Sequence, residues 1–259
     1  MPWAGEPLHS TLHTSPAAIV YEARLPPAAQ TALHSHVGVT AYVVVTAPLL
    51  PVRTETVEWE TDEVTGEAVP ARLVVGELAL APGAAFAFVV ADPARPLVHR
   101  LITPAEGGAG PVAARIVGVE VRGGGRGAGG RSPGEEAAAA AAAALPPPPP
   151  LTLAAAGPGF RTLRLVLEAG ATASLPALAS GSVIITVRGG GGLADGAGGA
   201  GGSGRGGGCG GAPSAFVAAA ATAPDGGVLV VDAEQARSGP CSLVNEGAGV
   251  YEAAVVELT

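Results

Sequence analysis

Apolar residues along this chain fall in short runs broken by Gly and Pro, without the long stretches of helical period that would mark amphipathic helices. Between residues 18 and 121 the apolar runs are 18–25, 39–46, 72–80, 84–90 and 112–121. Pro26-Pro27, Pro82-Gly83, Pro93, Pro104 and Gly107-Gly108 punctuate them. Several short strand-like segments at close spacing, each bounded by turn residues, predict an all-β sandwich or barrel over residues 17–121. Residues 1–16 lack the pattern and read as an irregular lead-in. The pattern resumes in 151–259, with segments at 162–167, 182–187, 215–219, 227–231 and 250–258.

Two low-complexity tracts interrupt this order. Residues 122–150 run from a Gly/Arg stretch through eight alanines to five prolines, and read as a linker, flexible at one end and semi-rigid at the other. Residues 189–213 are mostly glycine, offer almost no side chain to bury, and read as a disordered loop inserted in the second block.

The two blocks resemble each other. At a shift of 142 residues, LPPAAQTALHSHVGVTAYVVVT (25–46) falls on LEAGATASLPALASGSVIITVR (167–188) without a gap. The same shift sets 99–103 on 241–245, and after a gap of five residues 115–121 falls on the C-terminal strand, with Glu120 opposite Glu257. Order, spacing and strand character agree together, which indicates a duplicated β-domain.

Composition narrows the function classes. A net charge of −8 and pI ≈ 5.1 leave no basic footprint for nucleic acid. No segment approaches the length and apolarity of a membrane-spanning helix, and the N-terminal residues lack the charged and apolar regions of a secretory signal. The two cysteines, Cys209 and Cys241, do not suggest a disulfide framework, so a cytoplasmic or other intracellular soluble compartment is expected. Cys241 has no His in its own repeat and reads as a buried structural thiol, not a nucleophile.

Candidate chemistry rests on five histidines. His9 and His13 lie in the lead-in and read as part of a solvated tail. His34 and His36 are two apart at the start of a strand-like run, so both imidazoles share one face, with Thr40 and Tyr42 in the same parity. Val39, Ala41, Val43 and Val45 occupy the opposite parity, so both faces can be covered. Two such histidines can hold one divalent cation, and His99 is the remaining candidate for a third ligand. Three neutral imidazoles suit Fe, Mn, Ni, Cu or Zn alike. Tyr42 is the single candidate proton donor on that face, against the plainer reading of a packed core tyrosine, and Glu120 is an inward-facing candidate, against the plainer reading of a cross-strand or surface carboxylate.

The arrangement resembles the cupin superfamily. LPPAAQTALHSH matches its turn followed by His-x-His, and Ala81–Gly83 with His99-x-x-x-Thr103 matches a form of its second motif. In the second block Cys241-Ser-Leu-Val-Asn245-Glu-Gly247 keeps that motif's ending, and LEAGATASL resembles the opening of the first. The resemblance implies two tandem jelly-roll barrels, a bicupin. In the first barrel Thr40 stands nearest to where the family has a Glu ligand, and Thr103 stands where Asn is usual. In the second, the ligand positions read Pro176, Leu178 and Cys241, which implies a degenerate, metal-free barrel, either packed or with an apolar cavity. Two functional readings follow. One is a mononuclear metalloenzyme, dioxygenase-like, acting on a small carboxylate- or hydroxyl-bearing molecule. The other is a non-catalytic bicupin that binds a small ligand, stores, or forms a structural homodimer.

Overall fold

A computed structural model describes residues 2–48, 51–105, 114–122, 151–175, 181–189, 193–195, 227–231 and 241–258. The linker at 123–150, Cys209, Pro176, Leu178, the segment 215–219 and most of the glycine-rich tract lie outside these residues, as does the side chain of Cys241. The chain divides into two compact units, Met1–Gly125 and Arg126–Thr259.

The first unit runs β1 (His9–Thr14), β2 (Ala18–Leu25), β3 (His34–His36), β4 (Val39–Thr46), β5 (Val52–Thr61), β6 (Ala68–Leu78), β7 (Ala85–Val89), β8 (Leu97–Ile102) and β9 (Ala114–Val121). One sheet has the order β1-β2-β9-β4-β7 and the other β3-β8-β5-β6, so the chain repeatedly crosses between sheets, as in a jelly roll. Tyr21, Leu25, Tyr42, Ala114 and Ile116 from the first sheet and Val52 and Leu101 from the second form one buried cluster between them. β4 is central in its sheet and buried from Thr40 to Val45, which is why its sequence is apolar at both parities.

The second unit runs β10 (Leu151–Gly157), β11 (Phe160–Leu167), β12 (Thr172–Leu175), β13 (Ser182–Arg188), β14 (Leu193–Asp195), β15 (Val228–Val231), β16 (Cys241–Asn245) and β17 (Tyr251–Leu258). Its sheets have the orders β10-β11-β17-β13-β15 and β12-β16-β14, again all antiparallel. β14 lies inside the tract that composition marks as loop, yet its backbone pairs with Leu243–Asn245.

The duplication extends to register. Ala18 pairs with Val121 and Phe160 with Leu258; Thr40 pairs with Glu120 and Ser182 with Glu257, the same partners under the sequence shift. The bulge between Thr11 and His13 recurs between Leu153 and Ala155, and that between Val44 and Thr46 recurs between Thr186 and Arg188. Bulges fix register and twist, so their retention marks one backbone design used twice. The cross-strand ion pair Glu22–Arg115, at 2.7 Å, returns as Arg164–Glu252, at 2.7 Å, with the charges exchanged between strands.

One expectation is corrected, and β5 lies outside the predicted segments. Residues 1–16 are not an irregular lead-in: β1 pairs along β2, and Glu6, just before it, is buried. β5 escapes a hydrophobicity-based reading because Arg53, Glu55, Glu58 and Glu60 interrupt its apolar positions. Its pairing with β6 instead supplies the order, and the hairpin is closed by Asp62, whose carboxylate accepts the backbone N–H groups of Val64 and Thr65 at 2.8 Å.

Side-chain volume is where the units part. Gly118 on β9 sits between Tyr21 on β2 and Tyr42 on β4, whereas the equivalent Val255 sits between Leu163 and Ile184. A Cβ on Gly118 would lie 2.3 Å from Tyr21 Cζ and 2.7 Å from its hydroxyl oxygen. Tyr21 is fully buried and cannot swing aside freely. Gly118→Ala is therefore expected to destabilise the first unit by about 1–3 kcal/mol through overpacking. Urea unfolding of wild type and variant checks this, and an unchanged midpoint would show that the ring relocates at no cost.

Candidate metal centre

Backbone pairing assembles the three histidines. β3 lies antiparallel to β8, with His34 opposite His99 and His36 opposite Leu97. Alternation along β3 sends His34 and His36 to the same face, and His99 meets them there. The three residues are 0%, 1% and 8% exposed. Each can offer one ring nitrogen, and these nitrogens lie within 4.8 Å of one another. The ring centroids are 4.6 Å (His34–His99), 5.1 Å (His34–His36) and 5.2 Å (His36–His99) apart. The Nε2 atoms of all three are buried without a hydrogen-bond partner.

The surroundings orient these rings. His34 donates its Nδ1–H to the carbonyl of Ala32 at 2.8 Å, which fixes the tautomer and leaves the Nε2 lone pair for another partner. His36 Nδ1 faces the hydroxyls of Tyr21 and Tyr42, at 3.4 and 3.5 Å, and Tyr21 donates to Tyr42 at 2.9 Å. Burial holds the His36 imidazole down at about 2, helped by repulsion from His99 and His34. It holds His99 at about 3, and lowers His34 as well. The group is thus three neutral imidazoles, the protonation state a metal requires. Among the described residues no carboxylate joins the cluster. Three buried, unsatisfied nitrogens converging on one point fit a divalent cation, which would satisfy all of them at once.

A cavity of about 250 Å³ adjoins the site. His36 and His99 open onto it, with Tyr42, Phe86, Phe88 and Leu101 among its walls, and no Lys or Arg lines it among the described residues. Tyr42 is stacked on Phe86, with ring centroids 5.2 Å apart, and burial raises its hydroxyl pKa, so it stays protonated. Glu120 lies two residues along β9 from Gly118, on the same side of the strand, and is half-buried. Thr103 ties loops together: its hydroxyl donates to Pro26 O at 2.6 Å and accepts from Ala29 N at 2.9 Å. The equivalent Asn245 does the same work in the second unit, donating to the carbonyls of Leu167 and Gly249.

His9 is not part of a solvated tail. Its side chain is 4% exposed, its Nδ1–H donates to Glu6 at 2.6 Å, its ring lies 4.7 Å from that of His34, and it lines the cavity. The missed signal was the repeat itself, since β1 aligns with β10 at the same shift as β2 with β11. His13, on the same strand, remains half-exposed.

No known family profile matches the chain, and no curated protein matches it. Solved structures do. The chain is similar to the cupin 2 conserved barrel domain protein from Leptotrichia buccalis, with 7% identity and a TM-score of 0.40 over 99% of this chain and 90% of that one. It is similar to a salicylate 1,2-dioxygenase from Pseudaminobacter salicylatoxidans, with 12% identity and a TM-score of 0.46 over 94% and 71%. It is also similar to the oxalate decarboxylase of Bacillus subtilis, described with Mn(II) centres, with 12% identity and a TM-score of 0.41 over 96% and 72%. Cupins are thus among its structural neighbours.

Neutral burial of the imidazoles makes metal-free stability depend on pH. In the unfolded chain a histidine takes up a proton near 6.5, whereas folded His36 and His99 resist until about 2 and 3. Stability is therefore full above about 6.5 and falls as pH drops below it, by up to about 1.4 kcal/mol per unit for each such residue. Urea unfolding of chelator-treated protein at pH 7 and pH 5 should show a steeper loss in wild type than in His36→Leu. Parallel pH dependences would remove His36 from this account.

Proposed function

We propose that the first unit carries a mononuclear divalent-metal centre held by His34, His36 and His99, and that its cavity takes a small, mainly apolar molecule bearing one carboxylate or hydroxyl. The observation that carries this reading is the convergence of three buried, unpartnered imidazole nitrogens beside an apolar cavity. A cation held there would supply Lewis acidity, and three ligands would leave it positions for water, dioxygen or an anionic group. Fe, Mn, Ni, Cu and Zn all accept the donor set.

The chain's own groups define what could enter. Phe86, Phe88, Leu97 and Leu101 exclude water and favour an apolar body, aromatic rings included. With no Lys or Arg on the described walls, a substrate carboxylate would find its counter-charge at the metal. Tyr21 and Tyr42 hold His36 in place through their hydroxyls. Dioxygenase-type chemistry on such a molecule is the enzymatic form of this proposal, in line with the sequence resemblance. The second reading, a non-catalytic binding protein, draws on one observation: among the described residues no carboxylate accompanies the three imidazoles.

Metal content of untagged protein, measured by elemental mass spectrometry, tests the centre. One divalent ion per chain is expected, with loss of most of it in His36→Ala. A wild type that stays metal-free after reconstitution would sink the proposal. Oxygen uptake by the loaded protein, screened with small aromatic acids, then separates the enzyme from the binding protein.

A further inference from the structure

The first strand and the turn before it bring a buried carboxylate to the edge of the three-histidine cluster. Glu6 is 1% exposed at its side chain, and its carboxylate accepts from two backbone N–H groups and from His9. Its Oε2 accepts the backbone N–H of Leu8 at 2.8 Å and the Nδ1–H of His9 at 2.6 Å. Its Oε1 accepts the N–H of Ala32 at 3.2 Å. The carbonyl of that same Ala32 receives the Nδ1–H of His34 at 2.8 Å. Ala32 is therefore gripped from both sides, by Glu6 at its N–H and by His34 at its C=O. His9, held by the same carboxylate, packs edge-on against the His34 ring, at 4.7 Å and 62°. The bridge from Pro2 to Ser35 anchors the segment against β3 from the other end.

We propose that the Glu6–His9 pair positions the three-histidine centre. Glu6 fixes the Ala32 backbone that aims His34, and His9 supports the face of that ring and forms cavity wall beside His36 and His99. Neither residue is assigned as a ligand. This rests on the reading of His34, His36 and His99 as a metal site. A carboxylate that orients a ligating imidazole commonly changes metal affinity by about 10–100-fold when replaced, because the ring then samples other angles and tautomers. Glutamine at position 6 keeps the shape but sets an amide NH₂ against N–H donors, so at least one of the three bonds must break.

The test is Co(II) and Zn(II) affinity by competition with a chelator of known strength, together with the visible spectrum of the Co(II) form, for wild type, Glu6→Gln and His9→Leu. Far-UV circular dichroism and the melting temperature of each metal-free protein verify folding. Folded Glu6→Gln is expected to bind about tenfold or more weakly, with a shifted Co(II) spectrum. His9→Leu, which keeps apolar packing, is expected to shift the spectrum as well. Wild-type affinity and spectrum in a folded Glu6→Gln would overturn the proposal. If that variant does not fold, His9→Leu decides alone, and a wild-type Co(II) spectrum there overturns it. A wild type that takes up neither ion removes the centre itself and the proposal with it, a different result from ordinary metal binding that Glu6 does not influence.

Discussion

Burial of three imidazole nitrogens against one another is the constraint on which the first unit turns. Each unsatisfied nitrogen costs about 1–3 kcal/mol, and no protein group among the described residues meets the Nε2 of His34, His36 or His99. A proton is a poor remedy, because burial and mutual repulsion disfavour charge on all three rings. A single hydrogen-bond donor would serve one lone pair. A divalent cation serves all three, and the surrounding architecture holds the rings ready: the β3–β8 register sets their separation, Ala32 sets the tautomer of His34, and the two tyrosines back His36.

The second unit acts as an internal control on that architecture. It repeats the first sheet's strand order, two bulges, the charge-exchanged ion pair and the loop tie of Thr103 as Asn245. None of these depends on the histidines, since the aligned sequence positions are Pro176, Leu178 and Cys241. The backbone design is therefore separable from the site. The inner face differs instead: aromatic residues are 3% of the chain, yet Tyr21, Tyr42, Phe86 and Phe88 converge on one cavity. Gly118 makes room for Tyr21, and Val255 fills the same place between aliphatic neighbours. Duplicated backbones that diverge inwardly are what one scaffold with locally grafted chemistry looks like.

Legibility from sequence followed burial. β2 and β4, central and covered, announced themselves by apolar runs, and their bounds were readable to the residue. Parity alone put His34 and His36 on one face, and His99 could be nominated by elimination; Tyr42 belongs to β4 in the other sheet, so its place beside His36 comes from the packing of the two sheets and not from strand parity. β5 was hidden because its buried Glu55 is neutralised both along its own strand, by Arg53, and across strands, by Arg100 on β8, and no linear pattern displays the second partner. β1 was hidden because it is an edge strand with most positions exposed, Ser10, Thr11 and Leu12 in a row, and is stabilised by pairing more than by burial. The linker and the glycine-rich tract were read from composition alone. Glu6 and His9 were hidden for a different reason: their value lies in contacts with Ala32 and His34, some 25 residues away in sequence.

Charge placement gives those hidden residues their meaning. Three neutral ligands leave a bound cation its full charge of about +2, which a buried, apolar site tolerates poorly. A carboxylate ligand would reduce that charge but would occupy a coordination position. In this unit the nearby acids stand one residue removed from the nitrogens. Glu6 is bonded to His9 and acts electrostatically on His34, and Glu120 acts on the hydroxyls of Tyr21 and Tyr42. A carboxylate placed there would stabilise a bound cation through the low dielectric while leaving its remaining positions open to a small ligand. The cost is dependence on a segment that looks dispensable in the sequence: with β1 displaced, His34 would lose both its flanking ring and the grip on the peptide that aims it.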